Sequence, residues 1–109
     1  MAYDEALADR VLAEVEVLED IRSRKMFGGL AVMWQGNMLA GVMGDQLMVR
    51  VGADRYEALL AEPGAAPMDF TGRPMRGILV VAPDVLSTAD ELSVWIARAL
   101  TFVGTLPPK

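Results

Sequence analysis

The chain has 109 residues, no cysteine and no histidine, and 10 basic against 15 acidic side chains, for a net charge of −5. That length fits one domain able to bury a core without disulfide or metal staples. The missing residue types exclude disulfides, thiolate chemistry, imidazole ligands and a histidine general base, so no cofactor is expected.

Residues 3–20 place Leu7, Val11, Val15 and Leu18 at helical spacing, with Ala8 and Leu12 beside them and charges elsewhere. This pattern predicts an amphipathic helix running from Tyr3 to about Asp20. The start of the chain is acidic, unlike a secretory signal. No apolar run approaches the roughly 20 residues of a membrane span, so a cytoplasmic protein with no membrane partner is expected.

From Arg24 the period changes to two. Leu30, Val32 and Trp34 alternate with Ala31 and Met33, and Gln35-Gly36-Asn37 supplies a turn. Met38 to Met43 forms a second run. Gly44-Asp45 suits the positive φ of a tight hairpin, and Gln46 to Val51 forms a third run. Three runs joined by two short turns predict an antiparallel meander.

Ala53 to Glu62 reads as a helix, stopped by Pro63-Gly64. A short extended piece, Met68-Asp69-Phe70, then leads through Thr71-Gly72-Arg73-Pro74 into a strand from Met75 to Val81. Thr88 and Glu91 are spaced as a capping box for a last helix. Leu92, Trp95, Ile96, Ala99 and Leu100 would form its buried face. Residues 104–109 read as a frayed tail. The expected order is therefore α-β-β-β-α-β-β-α: an α+β two-layer sandwich with helices on one face of an antiparallel sheet.

Several residue groups bear on function. The face of the sheet away from the helices should alternate polar and apolar. Instead it is expected to present Met33, Leu39, Met43 and Met48. Methionine adapts to many partner shapes, and the apolar fraction of 53 % exceeds the roughly 45–50 % of ordinary soluble domains. Two accounts stand side by side: a protein partner on this face, a second copy of the chain foremost, or ordinary core methionine covered by a loop or the terminal tail.

Charge is segregated: residues 1–20 hold seven acids against Arg10, whereas residues 21–80 hold seven bases against five acids. Arg24, Lys25, Arg50, Arg73 and Arg76 are the candidate contacts for nucleic acid or another anion, since guanidinium forks suit phosphate and carboxylate. Solvated charge protecting a sheet edge is the competing account, and the negative total opposes nucleic acid at long range.

Met26, Phe27, Gly28 and Gly29 form a block whose glycines predict a sharp bend or close backbone approach. Neither phosphate-loop pattern is present. Asp45 and Asp69 read as turn residues. With no histidine and no G-x-S-x-G elbow, nothing resembles a nucleophilic triad. No catalytic residue is assigned, and the chain reads as non-enzymatic.

Met26-Phe27-Gly28-Gly29, Gly44-Asp45 with Leu47, Asp69-Phe70-Thr71-Gly72-Arg73-Pro74-Met75, Pro83 and Trp95 together resemble the N-terminal domain of the TfoX/Sxy proteins. The resemblance runs from about Ser23 to Leu100. It implies a secretion-chaperone-like α+β sandwich. It also implies a regulator of natural competence that acts with a cyclic-AMP receptor-type transcription factor. Full-length relatives carry a second domain; a sequence closing at Lys109 leads to the expectation of a stand-alone single-domain member. The resemblance supplies no catalytic residues.

Overall fold

The computed structural model describes residues 3–26, 28–69 and 74–108. Phe27, Gly72 and Arg73 lie outside them, as do the side chains of Met26, Asp69 and Pro74. Helix α1 spans Glu5–Val15 and is capped by the Asp4 carboxylate, which accepts from the N–H groups of Ala6 and Leu7 at 2.9 and 3.2 Å. It buries Leu7, Ala8, Val11 and Val15, one stripe at the expected spacing. The helix stops about a turn before Asp20, because the chain must reverse there: Asp20 takes a φ of 61° immediately before the first strand.

Four strands follow: β1 (Ile21–Met26), β2 (Gly29–Trp34), β3 (Asn37–Met43) and β4 (Gln46–Arg50). After α2 (Ala53–Leu60) come β5 (Ala65–Asp69) and β6 (Pro74–Val81), and after a single 3-10 turn at Pro83–Val85 comes α3 (Ala89–Val103). The fold is α+β, with the order α-β-β-β-β-α-β-β-α. It contains one strand, β1, that the periodicity of the sequence does not announce. All strands pair antiparallel in one sheet ordered β1-β2-β3-β4-β6-β5.

The hairpins follow from local chemistry. Gln35 and Gly36 both take positive φ between β2 and β3, the pattern of a type I′ turn. Gly44 alone does so in the Gly44-Asp45 turn, as type II′ requires of its first residue. The N–H of Asp4 donates to the carbonyl of Gly44 at 2.7 Å, tying the start of α1 to this turn.

The buried residues of all three helices join one cluster with Val32, Ala40, Val42, Leu47, Val49, Val51, Leu79 and Val81. Their alternate neighbours Met48 and Val80 belong to a second, smaller cluster that contains no helix residue. Alternation along β4 and β6 therefore separates a helix-packed face from one that, among the described residues, has no helix residue packed on it.

A local cap and a tertiary tie fix the two ends of α3. At its start Thr88 and Glu91 form the capping box. The Glu91 carboxyl is held below its ordinary value of 4.5, first by the Thr88 N–H it accepts from and then by the Ser87 hydroxyl. A lowered value in the folded state gives stability that is present above the ordinary value and is lost as pH falls through the lowered one. Wild type should thus lose more stability than Glu91→Gln between about pH 5 and pH 2, as thermal melts across that window would show. Equal slopes would deny the carboxylate this role.

After α3 the chain is held rather than frayed. Leu106 packs on the main core, and the Pro107 carbonyl accepts at 3.0 Å from Nδ2 of Asn37, among the described residues the one buried polar side chain. A buried amide needs such a partner, so the tail expected to be loose is held as far as Pro107.

Candidate protein-interaction site

Strand pairing defines the uncovered face residue by residue, because directly opposed residues of an antiparallel pair point to the same side. One line crosses all six strands: Arg24 opposes Ala31, Ala31 opposes Gly41, Gly41 opposes Met48, Met48 opposes Val80, and Val80 opposes Ala66. On one side of this line Arg22 opposes Met33, which opposes Met38; on the other, Met43 opposes Gln46. The centre of the face is methionine and small residues, and its β1 edge is arginine.

The face is packed in depth. Met48, Met68 and Val80 are buried, with Met38, Met43, Ala66 and Ile78 partly exposed against them. Gly41 makes room for this layer: a Cβ there would lie 2.6 Å from Met48 Cε and 2.6 Å from the Leu30 carbonyl oxygen. The half-exposed methyls of Met33, Met38 and Met43 are what a partner would meet first.

Leu39 does not belong to this face. It is 0 % exposed and sits in the helix-side core. The cause is a bulge in the β2–β3 ladder, where Val32 pairs with Ala40 but Met33 pairs with Met38. Leu39 is left as the extra residue, and the alternation changes phase across it. Met38 takes the outer position that a strict period of two assigns to its neighbour. Met48 holds its expected side of the sheet but at 3 % exposure, so it supports the surface from beneath rather than lining it.

Of the expected basic contacts, Arg73 lies outside the described residues and the other four do not gather. Arg24 and Lys25 are consecutive on β1, so their side chains take opposite faces; Lys25 opposes Leu30, which packs against the helix-side core. Arg76 is exposed on β6, four strand spacings from β1 in the sheet order, or about 19 Å. Arg50 is positioned at the end of β4, and its guanidinium turns to α3, where it lies 5.5 Å from the Phe102 ring centroid and donates to the Met38 carbonyl at 3.5 Å. Arg22, absent from the expected contacts, is instead a strongly exposed residue of the outer face, 3.6 Å from an Asp20 carboxylate oxygen. An exposed pair of this kind holds weakly.

The remaining motif residues are scaffold. Gly28 takes a φ of 75° in the β1–β2 turn. At Gly29 a Cβ would overlap the Val42 carbonyl oxygen, so the pair of glycines serves a tight return and a close strand contact. Gly44 and Asp45 make the β3–β4 turn, and Asp69 pairs through its backbone with Pro74. A cleft of about 460 Å³ between the start of α2 and α3 is lined by Arg55, Arg98, Thr101 and Phe102 among others. Arg98 is already engaged, 3.3 Å from Glu62 and 4.4 Å from the Trp95 ring centroid.

Among the described residues no helix is long and apolar enough to cross a membrane. A family model described as the TfoX N-terminal domain matches residues 13–103. No curated protein matches the chain.

Proposed function

The chain belongs to the TfoX N-terminal domain family, and from that premise we propose that it is a non-enzymatic, cytoplasmic protein-interaction module. It influences transcription or competence by docking a protein partner on the methionine face of its sheet. The observation that carries this reading is the uncovered face itself: a methionine-centred surface on the side of the sheet opposite the core cluster that takes in all three helices. The family's association with competence regulation supports a regulatory consequence of that docking.

Methionine suits such a surface because its unbranched, polarizable side chain repacks against different shapes at small cost. The buried Met48–Met68–Val80 layer gives the exposed methyls a firm floor. Direct phosphate binding has weaker support, since Arg24 and Lys25 take opposite faces of β1 and Arg50 is occupied at Phe102.

The test is capture from native cytosol with wild type and Met43→Glu, each with and without nuclease. A protein retained by wild type after nuclease, and lost with Met43→Glu while the melting temperature holds, is the expected result. Capture that vanishes with nuclease, or survives Met43→Glu unchanged, would overturn the reading. A second copy as the occupant would show as a doubled mass in light scattering that Met43→Glu halves.

A further inference from the structure

The uncovered face has a charge character that the composition of the chain does not suggest. The protein is acidic overall, at −5. Yet the strand positions that pairing assigns to this side are Arg22, Arg24, Met33, Met38 and Met43 around the buried Met48–Met68–Val80 layer, with Arg50 opposite Ile78 at the end of β4 and its guanidinium drawn to Phe102. No carboxylate occupies any of them. The acids are concentrated instead at the other end of the pattern, on α1 and the turn after it, where Glu5, Asp9, Glu16, Glu19 and Asp20 are exposed. Among the described residues Asp20 alone reaches the arginine edge, through its contact with Arg22.

From this we infer that the partner of the methionine face is an acidic amphipathic helix, whose apolar stripe lies on Met33, Met38 and Met43 and whose carboxylates meet Arg24 and Arg22. The inference rests on the docking role proposed above and names the chemistry of the partner. Charge complementarity fixes the orientation and suppresses wrong partners, and a guanidinium offers a fork that a carboxylate matches. A helix laid on a methionine surface is a recurrent mode of peptide recognition.

The same argument disfavours a second copy on this face. A two-fold contact sets identical patches against each other. Two such faces would bring arginine edges and methionines together without a carboxylate at any of the face positions to pair with them. The exposed side of α1 does not serve as the ligand either: its acids fit, but Leu7, Val11 and Val15 are buried in its own core, leaving no apolar stripe to offer.

The experiment uses the full chain and fluorescence anisotropy with three labelled probes: a glutamate–leucine amphipathic peptide, the same peptide with lysine in place of glutamate, and single-stranded DNA. The acidic peptide is expected to bind at least about tenfold more tightly than the basic one, with affinity falling as salt rises. Arg24→Glu, at an exposed position and with its melting temperature checked against wild type, should reverse that preference; Met43→Glu should abolish binding of both peptides. Equal or tighter binding of the basic peptide would overturn the acidic partner while leaving the face as a docking site, provided Met43→Glu still abolishes it. Failure of the acidic peptide to bind at all would also overturn the inference, and the capture experiment would then decide the docking role separately. Preferential binding of DNA would overturn both.

Discussion

Truncation of Leu39 to alanine is expected to lower the unfolding free energy by about 2–5 kcal/mol, out of a total of roughly 5–15 kcal/mol for a domain. The side chain is wholly buried among the residues that the helices cover. Removing it strips apolar contacts and leaves a cavity that the surrounding sheet and helices fill only in part. Urea denaturation followed by tryptophan fluorescence measures this directly. The neighbouring outer residue gives the contrast: Met38→Ala, at a half-exposed position, should cost well under half as much. If the two substitutions cost the same, the bulge that separates their environments is not present in solution.

Gly29→Val should be the other severe change, with a loss of about 1–3 kcal/mol or more from overpacking. A Cβ at this position meets the Val42 carbonyl oxygen, with its carbon and the Met43 side chain close behind. The obstacle is backbone of the paired strand, so no rotamer change relieves it. β2 would have to part from β3 at the point where Leu30 pairs with Val42. Gly44→Ala is the control: the space around it is open, and the penalty there is confined to a φ of 58°. Denaturant midpoints should therefore fall much further for Gly29→Val than for Gly44→Ala. The reverse order would show that the glycine block serves the turn alone.

These two positions mark what a sequence can and cannot disclose. The spacing of Thr88 and Glu91 announces the start of α3 because the capping box is a local bond pattern. Gly44-Asp45 and Gln35-Gly36 announce turns because positive φ restricts residue type. The runs in β2, β3 and β4 are visible because one face of each strand is packed on helices.

β1 is not visible in that way. Four of its six residues are Arg22, Ser23, Arg24 and Lys25, and an edge strand is defended by charge rather than marked by alternation. The phase change at Leu39 is equally silent, since a bulge is a property of two paired strands. The same holds for Arg50, whose partner Phe102 is 52 positions away in the chain and reaches it only through the packing of α3. The hold of Asn37 on Pro107 is likewise a contact across most of the chain.

The candidate site was thus legible in kind and displaced in detail. A methionine-rich face is evident from Met33, Met43 and Met48, whereas Met38 and Arg22 come to it only through strand register. Arg24 and Lys25 illustrate the reverse error: sequence proximity suggests one basic patch, but consecutive residues of a strand point to opposite faces.

The most direct measurement is methyl NMR of the full chain labelled at the methionine ε-carbons, titrated with the glutamate–leucine peptide. Shifts centred on the Met33, Met38 and Met43 methyls, with smaller changes at the buried Met48 and Met68, are the result that docking on this face predicts. Unmoved methionine signals together with shifts at the Trp95 indole, which lies on α3 in the opposite core, would contradict it.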